Sequence, residues 1–226
     1  MSVKFNYIEY SPVTCWSVEK QSFYTANNSA SIFWESEGIP HKCEVLSIEE
    51  CVSRIQQIEV PLKFTKEYAE FKAKRPIMQL VNNDGRLATK ELAGYDKWNG
   101  CVFVDLDLDK SDILKNVKSE GILDLVYEKL IEVVLYEMTD NFFYIEQSHS
   151  GGVHILFYFN VDKTEESFMK CATYVKNMLY KLCPKYIEGF DKVLAEDGVF
   201  DPVYLRPYQK IYCTGNKHYV NQHCSG

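Results

Sequence analysis

The sequence predicts an α+β protein: a β-α-β-β-α-β core over residues 96–226, preceded by a smaller α/β portion over residues 1–95. Three observations carry this. Between residues 101 and 213, strand-length apolar runs alternate with helical periodicities in that order. Gly, Asn, Asp and Ser cluster at the joints between them. No repeat, low-complexity tract or Pro/Gly/Ser linker divides the 226 residues, so one compact chain is the simplest expectation.

In the first portion, Ser47 and Glu50 form a capping-box signal ahead of Ile48, Cys51, Val52, Ile55 and Ile58, whose spacing marks an amphipathic helix ending near Pro61. Ile77–Val81 reads as a short strand, and Asn82-Asn83-Asp84-Gly85 as a turn. In the second, Cys101–Asp107 is a β-rich run. Leu123, Val126, Leu130, Val133 and Val134 set a helix over Ile122–Met138, and Phe142–Glu146 is the next strand. The polar turn Ser148–Gly152 leads into a strand over Val153–Phe159. Phe168, Ala172, Val175, Leu179 and Leu182 then step along a helix that stops before Pro184. Strand signals resume between Val199 and Cys213. This order is the split βαβ, or ferredoxin-like, arrangement, in which the first and third strands lie side by side and antiparallel and the fourth flanks the first. The topology thus draws Asp105, Asp107, His154 and the region of Asp201 toward one another.

Composition narrows the function. At 46% hydrophobic and 25% charged residues the chain is an ordinary folded protein, neither collagen-like nor disordered. It has no apolar run long enough to span a bilayer and no signal-peptide h-region at its start, so an intracellular protein with no membrane partner is expected, in the cytoplasm or nucleoid. The eight cysteines include no CxxC pair and are expected to be reduced thiols. A net charge of −7 disfavours a generally nucleic-acid-coated surface but leaves room for a local basic channel.

Three segments carry chemistry. In VFVDLDLD, Asp105 and Asp107 are two apart on a strand, which points both carboxylates from one face; a divalent cation relieves their repulsion, and oxygen ligands favour Mg²⁺ or Mn²⁺. Asp109 follows the same alternation past the strand. In QSHSGGVHILFYF, a Ser/Gly turn can cradle phosphate oxygens while His154 donates to a phosphate or orients a nucleotide. After Asp201 the chain has no acid but carries Arg206, Lys210 and Lys217, an anion-binding asymmetry in an acidic protein, with Tyr204, Tyr208, Tyr212 and Tyr219 interleaved for base or sugar contacts. Cys213, His218, His223 and Cys224 fit no zinc spacing and are not assigned as a site.

The blocks VFVDLD, SGGVH and VFD, in this order, resemble the archaeo-eukaryotic primase superfamily, and the continuation DPVY with its basic residues is most similar to the viral and primase-polymerase branches. The resemblance covers about residues 95–220. It implies an RRM-like catalytic core performing template-directed nucleotidyl transfer, the making of short primers on single-stranded DNA. It further implies two divalent ions on Asp105, Asp107 and Asp201, with an NTP or dNTP triphosphate bound by Ser150, Gly152, His154, Arg206, Lys210 and Lys217. That branch places an arginine near position 211, where this chain has Ile211, so Arg206 or Lys210 would take that role. A replicative helicase, in the same chain or separate, and a virus or plasmid source fit the same resemblance. Two alternatives stand beside it: a haloacid-dehalogenase-like phosphotransferase, whose opening motif is also hydrophobic-DxD, and an inactive primase-like module that binds nucleic acid.

Overall fold

The structure is a computed structural model that describes residues 4–10, 14–17, 22–25, 41–62, 64–68, 71, 75–80, 98–117, 119–200, 211–213 and 217–221. It is an α+β protein, and every strand pair among the described residues is antiparallel. The chain divides into two compact units, residues 2–92 with 210–215 and residues 93–209 with 216–226. The segment 210–215, which the sequence reading kept with the second half, belongs to the first unit.

The first unit contains strands β1 (Lys4–Tyr10), β2 (Thr14–Ser17), β3 (Ser22–Thr25), β4 (His41–Ser47), helix α1 (Ile48–Ile55) and β5 (Ile77–Leu80). Ser47 caps α1 as expected: its hydroxyl accepts from the Glu50 N–H, and the Glu50 carboxylate accepts from the Ser47 N–H at 2.9 Å. Ile48, Cys51 and Ile55 supply its buried stripe. The turn expected at residues 82–85 lies outside the described residues.

The second unit begins with β6 (Cys101–Leu106), α2 (Asp112–Asn116), α3 (Ile122–Glu137), β7 (Phe143–Gln147), β8 (Val153–Tyr158), α4 (Glu165–Asn177) and α5 (Phe190–Ala195). The two-residue strand β9 (Ile211–Tyr212) belongs to the first unit and completes its sheet, order β4-β1-β5-β9. Strand β10 (His218–Asn221) completes the second sheet, order β10-β7-β8-β6. The helix expected to continue to Leu182 changes after Asn177 to a wider turn over Met178–Leu182, and Pro184 then stands in a short 3₁₀ turn.

The first and third strands of the second unit, β6 and β8, pair antiparallel as the sequence reading expects. Its fourth strand differs. On the free edge of β6 the described chain makes one bridge, Leu106 to Phe200, with the Asp107 N–H donating to Val199 O at 2.9 Å. The strand that joins the sheet is β10, on the far side of β7. Residues 201–210 lie outside the described residues.

Alternation sorts this sheet into two faces. Val102, Val104, Leu106, Phe143, Ile145, Val153, Ile155 and Phe157 share one hydrophobic core with Val126, Leu130, Val133 and Val134 of α3 and Phe168, Ala172 and Val175 of α4. The opposite face carries Phe103, Asp105, Tyr144, Glu146, His154 and Leu156. The described cysteines Cys51, Cys101, Cys171, Cys183 and Cys213 are free thiols, and all are buried. Among the described residues no helix is long and apolar enough to cross a membrane.

Candidate functional site

Strand register builds the site. Asp105 on β6 stands opposite His154 on β8, His154 stands opposite Glu146 on β7, and Glu146 stands opposite His218 on β10. Directly opposed residues have adjacent side chains on the same face, so one row of alternating acid and imidazole crosses all four strands. A one-residue slip of β8 would put Val153 or Ile155 against Asp105 instead.

The row is bonded along most of its length. His154 Nδ1 lies 2.6 Å from Glu146 Oε1, and the Tyr144 hydroxyl donates to Glu146 Oε2 at 2.8 Å. The Tyr144 oxygen lies 2.6 Å from His218 Nδ1. Burial holds the His218 imidazole below its ordinary pKa, against the pull of the Glu146 carboxylate, and so favours the neutral ring. With the Tyr144 O–H directed at Glu146, the Tyr144 oxygen is left to accept from His218 Nδ1–H. Glu146 is 0% exposed, and groups from β7 and β8 converge on both of its oxygens. His218 Nε2 is buried without a hydrogen bond among the described residues.

At the other end, His154 Nε2 is 3.5 Å from Asp105 Oδ1, which is buried and has no hydrogen-bond donor among the described residues. Burial raises the Asp105 pKa; His154 and Lys110 oppose the rise, and the charges of Asp107 and Glu146 add to it. A buried carboxylate oxygen without a donor, flanked by a second acid, is a donor set suited to a hard divalent cation. Among the described residues no group of three or more His, Cys, Asp or Glu gathers to hold a metal. The third acid of the expected set, Asp201, lies outside the described residues, as do Arg206 and Lys210.

Asp107 departs from the expectation that it shares the strand alternation of Asp105. Strand β6 ends at Leu106, and Asp107 opens a 3₁₀ turn at φ −78°, ψ 62°. Its carboxylate, 38% exposed, lies 2.5 Å from Lys110 Nζ. The two aspartates therefore sit at one strand end in unlike surroundings, one half-buried with its Oδ1 enclosed and one salt-bridged near solvent.

The Ser148–Gly152 turn closes on itself: the Ser148 N–H donates to Gly152 O at 2.7 Å and the Gly151 N–H to Ser148 O at 2.9 Å. The Ser148 and Ser150 hydroxyls lie 3.1 Å apart. A Cβ on Gly152 would come within 2.9 Å of Leu106 O and 3.6 Å of the Asp107 Cα, so only glycine lets the turn press against the end of β6. Lys217 lies away from this cluster in its bonding: Nζ is 3.0 Å from Asp124 Oδ2 on α3, while its carbonyl accepts from the Gln147 N–H.

Glu146 and His218 were not singled out from the sequence as members of this site. A detectable signal existed for Glu146, a lone charge inside the apolar run FFYIEQ, two residues from a tyrosine and so on its face. His218 had none, because HYVN is too short to show alternation. In comparisons with known proteins, no family model matches the chain, and neither does any curated protein or solved structure.

Proposed function

We propose that this chain is the catalytic domain of a DNA primase or primase-polymerase, joining NTPs or dNTPs on a single-stranded DNA template. One observation carries the reading: Asp105 and His154 are direct cross-strand partners, and the Gly152 backbone lies against the strand end that bears Asp105 and Asp107. The bridge from Leu106 to Phe200 adds support, because Phe200 immediately precedes Asp201 in sequence. In this reading the core is RRM-like.

Asp105, Asp107 and Asp201 would hold two Mg²⁺ or Mn²⁺ ions, which when bound supply activation of a 3′-hydroxyl and charge stabilisation at the leaving pyrophosphate. His154 would donate from Nε2 to the incoming triphosphate. Ser150 and the Gly152 amide would bind phosphate oxygens from the turn. Arg206, Lys210 and Lys217 would supply cations for triphosphate or template, and a replicative helicase would be the partner in the same chain or separate. The haloacid-dehalogenase-like alternative requires a parallel doubly wound sheet, and the antiparallel pairing of β6 with β8 gives it no support.

The test is direct. The purified chain is incubated with single-stranded DNA, labelled NTPs or dNTPs and Mg²⁺ or Mn²⁺, and short products made without a primer are expected. Absence of product with every nucleotide and metal combination would overturn the reading. Tight primer-template binding without incorporation would instead favour the inactive nucleic-acid-binding module.

A further inference from the structure

We propose that Glu146 is a positioning residue of this site, holding His154 through its Nδ1–H so that the ring, when protonated at both nitrogens, directs Nε2–H toward Asp105 and the phosphates of the incoming nucleotide. The identity of that ligand rests on the nucleotidyl-transfer reading; the holding of the ring rests on the geometry alone.

An ionised carboxylate can only accept hydrogen bonds. With Glu146 ionised and His154 Nδ1 at 2.6 Å from its Oε1, the hydrogen between them belongs to the imidazole, whatever the charge on the ring. Nε2, the other ring nitrogen, lies on the Asp105 side of the ring at 3.5 Å from Oδ1. The second-neighbour group of a working histidine sets both its tautomer and its orientation.

Glu146 is itself braced. Its other oxygen accepts from Tyr144 at 2.8 Å, and Tyr144 is 2.6 Å from His218 Nδ1 on the neighbouring strand. Hydrogen-bond direction is consistent from His218 through Tyr144 to Glu146, and from His154 to Glu146 on the other side. Both carboxylate oxygens are thereby engaged, Oε1 by His154 of β8 and Oε2 by Tyr144 of β7, which His218 of β10 contacts in turn.

The chain has five histidines, so ¹⁵N-histidine labelling of the 226-residue chain gives a readable spectrum, with His154 assigned through a His154→Gln variant. Long-range proton–nitrogen correlation should show His154 protonated at Nδ1 in the parent, and a changed nitrogen pattern in Glu146→Gln. In primer synthesis, Glu146→Gln should raise the nucleotide KM by about tenfold, at the lower end of outer-shell effects, with kcat little changed. Added to His154→Ala it should have no further effect, because it acts through that ring. If Glu146→Gln fails to fold, Tyr144→Phe removes only the brace and should raise KM in the same direction by less.

A parent His154 without a proton on Nδ1 would overturn the proposal. So would a Glu146→Gln protein with the parent's KM, or one that weakens His154→Ala as much as it weakens the parent. If the parent makes no product at all, the nucleotidyl-transfer reading falls, while the nitrogen spectra still decide whether Glu146 holds His154.

Discussion

On β7, Ile145 and Glu146 are adjacent in sequence and both fully buried, yet they belong to faces buried for opposite reasons. Ile145 faces α3 and α4, where Val102, Val104, Ile155 and Phe157 meet it in an apolar core that gains from leaving water. Glu146 faces the acid–imidazole row, where leaving water is a cost that only converging donors offset. The comparison teaches that one sheet can hold fold and chemistry on alternate residues. The apolar face supplies stability. The polar face borrows the rigidity of the same strands to keep four ionisable groups in register.

The sharpest way to break this comparison is to damage each face separately. Asp105→Ala should reduce nucleotidyl transfer to background while thermal unfolding stays at or above the parent, since it removes an acid whose charged form burial penalises. Phe157→Ala should do the reverse, losing about 3–5 kcal/mol of stability through the cavity it leaves. If Asp105→Ala keeps near-full activity, or if it unfolds the protein as Phe157→Ala does, the division of labour between faces is wrong.

Gly152→Ala tests the join between turn and strand. Its Cβ would meet Leu106 O at 2.9 Å, so the turn must shift away from β6 at a cost of about 1–3 kcal/mol. A raised nucleotide KM should accompany the lowered melting temperature; an unchanged KM would remove the turn from the site.

A pH experiment separates the faces more gently. His218 is pushed below its ordinary pKa of 6.5 by burial, so the unfolded chain takes up a proton first as pH falls. Its contribution to stability is therefore complete above the unfolded value, declines as pH drops through it, and is lost below the folded value. Melting temperatures compared at about pH 7.5 and about pH 5.5, which bracket an ordinary imidazole, should differ more for the parent than for His218→Gln. Equal differences would mean that His218 is not held neutral in the row. The smallest effect is expected at Lys217→Ala, whose ion pair with Asp124 is 47% and 52% exposed and is worth about 0.2–1 kcal/mol or less. A Lys217→Ala protein of unchanged stability but weakened nucleotide binding would tie this lysine to the phosphates.

Legibility in the sequence followed the length of each signal. The helix over Ile122–Met138 was readable because five apolar residues repeat at helical spacing, and α3 ends within a residue of that reading. Strands β1 and β4 were not read, because aromatic and polar residues mix in KFNYIEY and HKCEVLS without a clean alternation. At the site, Asp105 and His154 could be brought together from topology alone, since a β-α-β-β-α-β order makes the first and third strands neighbours. Asp107 could not be placed, because a strand's last residue depends on where its partner stops and not on its own pattern. Asp201, Arg206 and Lys210 lie outside the described residues.

What the amino-acid sequence determined by itself was local and periodic: which segments are helices or strands, which side of each is apolar, and where turn chemistry breaks them. Those follow from backbone sterics and from the spacing of apolar groups within a few residues. The register of β10 on β7, and of β8 on both its neighbours, was decided only in the tertiary structure. Register decides which residues 8, 49 or 72 positions apart become cross-strand partners. Glu146 in sequence is a lone acid in an apolar run, a residue that burial alone would disfavour. It becomes tolerable only when His154 and Tyr144 arrive with their hydrogens directed at it, and that arrival depends on contacts between strands.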